Sequence, residues 1–154
     1  MKMNKLLALS LGLAFTLGGA AVEAKGDKTV MRCRADTGDG IASMQARYIV
    51  IENRRTRERF KASFEIAPGM GLNGDEPLEE GDVLPVLVKG HEVGEITLSV
   101  KLNGDLGGEI DFDTNVDRDA PDDTVPFPAN WPGVRKGSRV EIGGLGCNLQ
   151  QRPR

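Results

Sequence analysis

From residue 60 to residue 66 the chain alternates without a break. Phe60, Ala62, Phe64 and Ile66 fall on one side, and Lys61, Ser63 and Glu65 on the other. Successive side chains of a β-strand point to opposite faces, so this pattern specifies a strand with one buried and one wet face. The same period recurs upstream, where Met44, Ala46, Tyr48 and Val50 share a face within 43–52 and Gln45 and Arg47 begin the other. It returns in 93–102, where Ile96, Leu98, Val100 and Leu102 alternate with Thr97, Ser99 and Lys101. No segment after residue 24 carries a helical period. A chain built this way buries its strand faces only by packing one sheet on another or by closing a sheet on itself.

Turn residues divide the chain into about eight strands. Asp36-Thr37-Gly38-Asp39-Gly40 ends a first strand over 30–35. Segments 43–52 and 60–66 read as a long hairpin whose tip carries several arginines, and 69–81 reads as a loop. A second hairpin joins 83–89 to 93–102 over Gly90-His91-Glu92, and Asn103-Gly104 predicts a type I′ turn into 107–114. Pro85 lacks a ladder donor, which places 83–89 at a sheet edge or after a bulge. An Asp- and Pro-rich stretch, 115–136, precedes two short strands at 139–142 and 145–150. The expected fold is all-β: a small antiparallel β-sandwich, immunoglobulin-like by strand count, with a small β-barrel as the alternative.

The N-terminus reads as a cleaved export signal over residues 1–24. Lys2 and Lys5 precede an apolar run from 6 to 17, and Val22-Glu23-Ala24 fits a small-x-small cleavage site. Twelve residues are short of the ~20 a membrane-spanning helix needs, and no later segment is apolar enough to span. Arg32 stands where a lipoprotein signal requires a small residue before cysteine, which argues against a lipid anchor. The expectation is a secreted or periplasmic single domain over 25–154. In that setting Cys33 and Cys147, the two cysteines of the chain, are expected to pair. A bridge across that separation stabilises by about 5 kcal/mol on the chain-entropy argument.

Charge is unevenly spread. Residues 25–62 carry 10 basic and 5 acidic side chains, 63–125 carry 3 and 16, and 126–154 carry 5 and 1. Either these blocks neutralise one another across paired strands, or they leave a basic and an acidic end able to steer a charged partner. The densest acids lie in 109–123. There Asp111, Asp113, Asn115, Asp119 and Asp122 fall at EF-hand steps 1, 3, 5, 9 and 12. Val116 stands where that loop requires Gly, and Asp122 where it requires Glu. Asp111, Asp113 and Asn115 also read as the solvated face of a strand. A looser calcium site from Asp117, Asp119, Asp122 and Asp123 is the alternative.

Two further surfaces are candidates for a partner. Arg54, Arg55, Arg57 and Arg59 form a basic knob suited to phosphate, sulfate or carboxylate. In Val125-Pro126-Phe127-Pro128-Ala129-Asn130-Trp131-Pro132, prolines hold the chain extended. Phe127 and Trp131 there either project as anchors or fold back to close one end of the sandwich. Nucleic acid is not expected for a chain of net charge −3 whose basic residues lack interleaved aromatics. His91 is the only histidine and no Gly-x-Ser-x-Gly is present, so no catalytic site is assigned. The reading is a non-catalytic exported domain that binds a protein or envelope component. A calcium-binding or calcium-stabilised module is the alternative, and a hydrolase without an identifiable site is third.

Overall fold

The computed structural model describes residues 26–116, 121 and 123–151, and among these there is no helix. Eleven strands follow in order. They are β1 (Asp27–Asp36), β2 (Ala42–Glu52), β3 (Arg57–Ile66), β4 (Val83–Val88), β5 (His91–Thr97) and β6 (Ser99–Val100), then β7 (Leu106–Asp113), β8 (Thr124–Val125), β9 (Arg139–Ile142), β10 (Leu145–Asn148) and β11 (Gln150–Gln151). They build two sheets, ordered β11-β1-β2-β3-β7-β6 and β10-β9-β4-β5, with β8 added in parallel to β7. All other pairings are antiparallel and neither sheet closes into a barrel. The architecture is that of a small β-sandwich.

The alternating residues of β2 and β3 supply the core from the larger sheet. Phe60, Ala62 and Phe64 are fully buried and lie opposite Tyr48, Ala46 and Met44 in the ladder. Val86, Val88, Val140 and Ile142 face them from the smaller sheet.

The alternation misleads at two corners. Residues 93–102 are not one strand: β5 belongs to the smaller sheet and β6 to the larger, and the chain crosses between them at Leu98. Leu98 is buried, and its backbone is pinned by Leu98 N–H to Asp82 O (2.8 Å) and Gly81 N–H to Leu98 O (2.9 Å). Beyond the crossing the sequence period continues but the face changes, so Val100 and Leu102 are exposed rather than in the core. Residues 145–150 divide in the same way, with buried Leu149 between β10 and β11. Strands that change sheets at bends are a normal way to make the corners of packed sheets.

Turn chemistry also departs from expectation. At the Asn103-Gly104 site the bonds Gly104 N–H to Lys101 O and Lys101 N–H to Asp105 O define a three-residue loop. Only Gly104 has positive φ, which makes a type I turn with a glycine bulge instead of type I′. The two-residue primed geometry occurs at Lys89-Gly90 (φ 53° and 78°), between paired Val88 and His91, and at Gly143-Gly144. Pro85 lies in an interior strand, but β9 pairs only with Val86–Val88 and ends before reaching it. On its other side β5 carries a bulge, with partners jumping from Gly94 to Glu92 and Val93 left as the extra residue.

Cys33 of β1 and Cys147 of β10 are bonded, with Cα atoms 5.7 Å apart. The bridge therefore joins one sheet to the other, compatible with an oxidising compartment.

Candidate functional site

The outer face of the larger sheet is defined by register. Arg32 of β1 lies opposite Arg47 of β2, Arg47 opposite Lys61 of β3, and Lys61 opposite Asp111 of β7. The next row runs Arg34, Gln45, Ser63, Glu109, and the row on the other side runs Val30, Ile49, Arg59, Asp113. Cations thus come from β1, β2 and β3, and carboxylates from β7.

Towards β7 the charges are matched, and diagonally. Arg57 donates from Nε and Nη2 to the two carboxylate oxygens of Asp113 (3.0 and 2.7 Å). Arg59 does the same to Asp111, and Lys61 Nζ donates to Glu109 at 2.8 Å. Each cation reaches an acid displaced by two residues from its directly opposite position, as the diagonal neighbours on a twisted sheet allow. Asp111 and Asp113 are each only 2% exposed. Burial alone would raise the Asp113 pKa, but the hydrogen bonds from Arg57 and from Asn115 N–H, with the charges of Arg57 and Arg59, hold it below the usual carboxylate value. The hydrogen bond to Asp111 likewise raises the Arg59 pKa against the opposing effect of burial. These acids are therefore not a solvated face, since the arginines of β3 lie against them.

Towards β1 the charges are not matched. Among the described residues the side chains of Arg32 and Arg47 have no hydrogen bond or ion pair, although they stand directly across from each other. Arg34 approaches Asp36 only at 3.7 Å, with both side chains exposed. Like charges directly opposite on neighbouring strands destabilise a sheet. Together with Lys61 they line a trough of about 600 Å³, whose remaining polar groups are Gln45, Ser63 and Gln150. Among the described residues no aromatic side chain lines it.

The structure separates the residues expected to act together. Arg54 and Arg55 are exposed at the β2–β3 tip, whereas Arg57 and Arg59 belong to β3 and are engaged by Asp113 and Asp111. The basic knob is therefore two residues, not four. Phe127 and Trp131 fold back against the core, with ring centroids 4.7 Å apart. Trp131 lies 5.0 Å from Phe60 and 5.9 Å from Phe112, so the two aromatics do not project as anchors. Asp123 is exposed, while Asp117, Asp119 and Asp122 lie outside the described residues. Asp111 and Asp113, the first two steps of the EF-hand spacing, are already occupied by arginines.

The Arg32–Arg47 pair was missed because it needs two strands. Each residue appears in the sequence as one outward basic position, and only the β1–β2 register sets them side by side. Comparison with known proteins adds no relationship: no family model, curated protein or solved structure matches the chain.

Proposed function

We propose that this is an exported, non-catalytic binding domain that holds an anionic partner, a protein or an envelope component, on the β1–β2–β3 face of its larger sheet. One observation carries the reading. Arg32 and Arg47 stand opposite each other without a counter-charge among the described residues, on a face whose other half is neutralised by β7. An anion seated there removes the repulsion and gains charge-assisted hydrogen bonds. The N-terminal sequence that reads as an export signal, together with the inter-sheet disulfide, supports a location outside the cytosol.

The test is binding of the protein to isolated envelope material across a salt series, beside an Arg32→Glu/Arg47→Glu variant. Both positions are exposed, so the variant should keep the native circular dichroism spectrum. Saturable binding that weakens with salt and vanishes in the variant supports the proposal. Absent binding, or equal binding by the variant, overturns it.

A further inference from the structure

The same face contains an internal comparison of how its arginines meet anions. On the β7 side, each carboxylate is gripped by one guanidinium in a two-point fork, one acid to one arginine. A carboxylate has two coplanar oxygens, and one fork uses both. On the β1 side the arrangement differs, because Arg32 and Arg47 are direct cross-strand neighbours. Their backbones are about 5 Å apart, so two forks converge on one volume. A tetrahedral oxyanion, with three or more terminal oxygens, can take both forks and still accept from a side-chain amide or hydroxyl. Gln45, Gln150 and Ser63 line the same trough and supply such donors.

The size and the remaining lining narrow the ligand further. A trough of about 600 Å³ exceeds what one inorganic ion fills. Across strands, Arg32 and Arg47 are separated by one strand spacing, about 5 Å, and along β1 Arg32 and Arg34 by two residues, about 7 Å. Cations at these intervals suit a chain of repeated anionic groups. Among the described residues the lining lacks the aromatic and Met side chains that anchor protein partners, and it has no ring on which a base could stack. Charge and fork geometry are what this surface offers.

From this we infer that the trough is a binding site for an extended polymer bearing pendant phosphate or sulfate monoester groups, each with three terminal oxygens, with Arg32 and Arg47 sharing one such group. The inference rests on the proposed anion-binding role and specifies its ligand. Heparin, whose sulfate monoesters have three terminal oxygens, is the probe, with a phosphomonoester-bearing polysaccharide as its phosphate counterpart and poly-glutamate of equal charge as the carboxylate control, each titrated by calorimetry.

Heparin or the phosphorylated polysaccharide is expected to bind at least tenfold more tightly than poly-glutamate. With two to three cations engaged, log K should fall with log salt with a slope of about −2. Arg32→Ala/Arg47→Ala should lose about a hundredfold in affinity. Arg32→Lys/Arg47→Lys, which keeps charge but not the fork, should lose about tenfold. A preference for phosphate over sulfate, or the reverse, distinguishes the two sources of the group. Poly-glutamate binding as tightly as both other polymers overturns the tetrahedral assignment while leaving an anion-binding face. So does full rescue by the lysine variant. No binding of any polymer overturns both readings.

Discussion

Removing the Cys33–Cys147 bond while keeping both sulfurs isolates what the cross-link contributes. The residues are 114 apart in sequence and join β1 of the larger sheet to β10 of the smaller. Closing a loop of that length removes about 16 cal/mol/K from the unfolded chain, or about 5 kcal/mol at 25 °C. Typical domains have about 5–15 kcal/mol in total, so reduction should bring this one near its limit. The folded state should nevertheless keep its shape, because β1 remains paired with β2 over ten residues. Urea melts followed by circular dichroism, with and without a phosphine reductant, read the effect. For a slope near 2 kcal/mol/M the midpoint should drop by about 2–3 M. The slope itself should rise, because an uncross-linked unfolded chain exposes more surface. A Cys33→Ala/Cys147→Ala variant should fall slightly lower still, since Cys147 is 8% exposed and its sulfur packs in the core. If thiol titration confirms full reduction yet neither midpoint nor slope moves, the entropic argument fails.

Three other outcomes follow from particular contacts. The Asp113 carboxyl is held below its ordinary pKa, so its stabilisation is complete above the unfolded-state value near 3.9 and is lost as pH falls through the lower folded value. Asp113→Asn should therefore cost about 2 kcal/mol at neutral pH, and its melting temperature should decline less steeply than wild type in the acid range; parallel acid limbs would refute this. Tyr48, the only tyrosine, is buried, and desolvation first, then the charge and hydrogen bond of Glu58, raise its pKa far above the usual value near 10. Its contribution to stability is fully present below the unfolded value and lost as pH rises towards the folded one. Absorbance at 295 nm should hence step only with alkaline unfolding, and a clean transition near pH 10 in the folded protein would contradict the burial. Gly108 sits where β7 approaches the Leu98 crossing, and an added Cβ would lie 2.6 Å from Thr97 O and against the Ile96 side chain. Gly108→Ala should destabilise by about 3 kcal/mol in a thermal melt, whereas an unchanged midpoint would mean that the corner has slack.

The legible parts of the fold were those set by local alternation. Phe60, Ala62, Phe64 and Ile66 are core because a strand has no other way to place them, and the 43–66 hairpin follows from its two alternating arms. The same rule failed at Val100 and Leu102, because a crossing between sheets leaves the sequence period intact while changing what each face meets. Turn residues likewise indicate where the chain reverses better than how. Asn103-Gly104 carries the favoured dipeptide yet forms a bulged loop, while Lys89-Gly90 adopts the primed turn because Val88 and His91 are paired with only two residues between them. For the site, the outward position of Arg47 was readable, but its neighbours were not. Arg57 and Arg59 belong to the same basic run as Arg54 and Arg55 in sequence, and only the β3–β7 register assigns them to Asp113 and Asp111.

That register gives the two halves of the face different physical roles. On the β3–β7 side each charge is matched, and the buried acids act as internal ties between strands. On the β1–β2 side Arg32 and Arg47 add repulsion where a neutral pair would stabilise the sheet more. Their setting is nonetheless rigid: Arg32 and Arg34 flank Cys33, β2 pairs along the whole of β1, and β11 pairs with Met31 and Arg32. Little backbone freedom is left to lose when an anion arrives, so more of the electrostatic gain can appear as affinity. The staple between the sheets therefore lies directly beneath the two arginines that have no counter-charge among the described residues. A face arranged only for stability would place such a constraint under matched charges, and the mismatch is the reason to look for a ligand there.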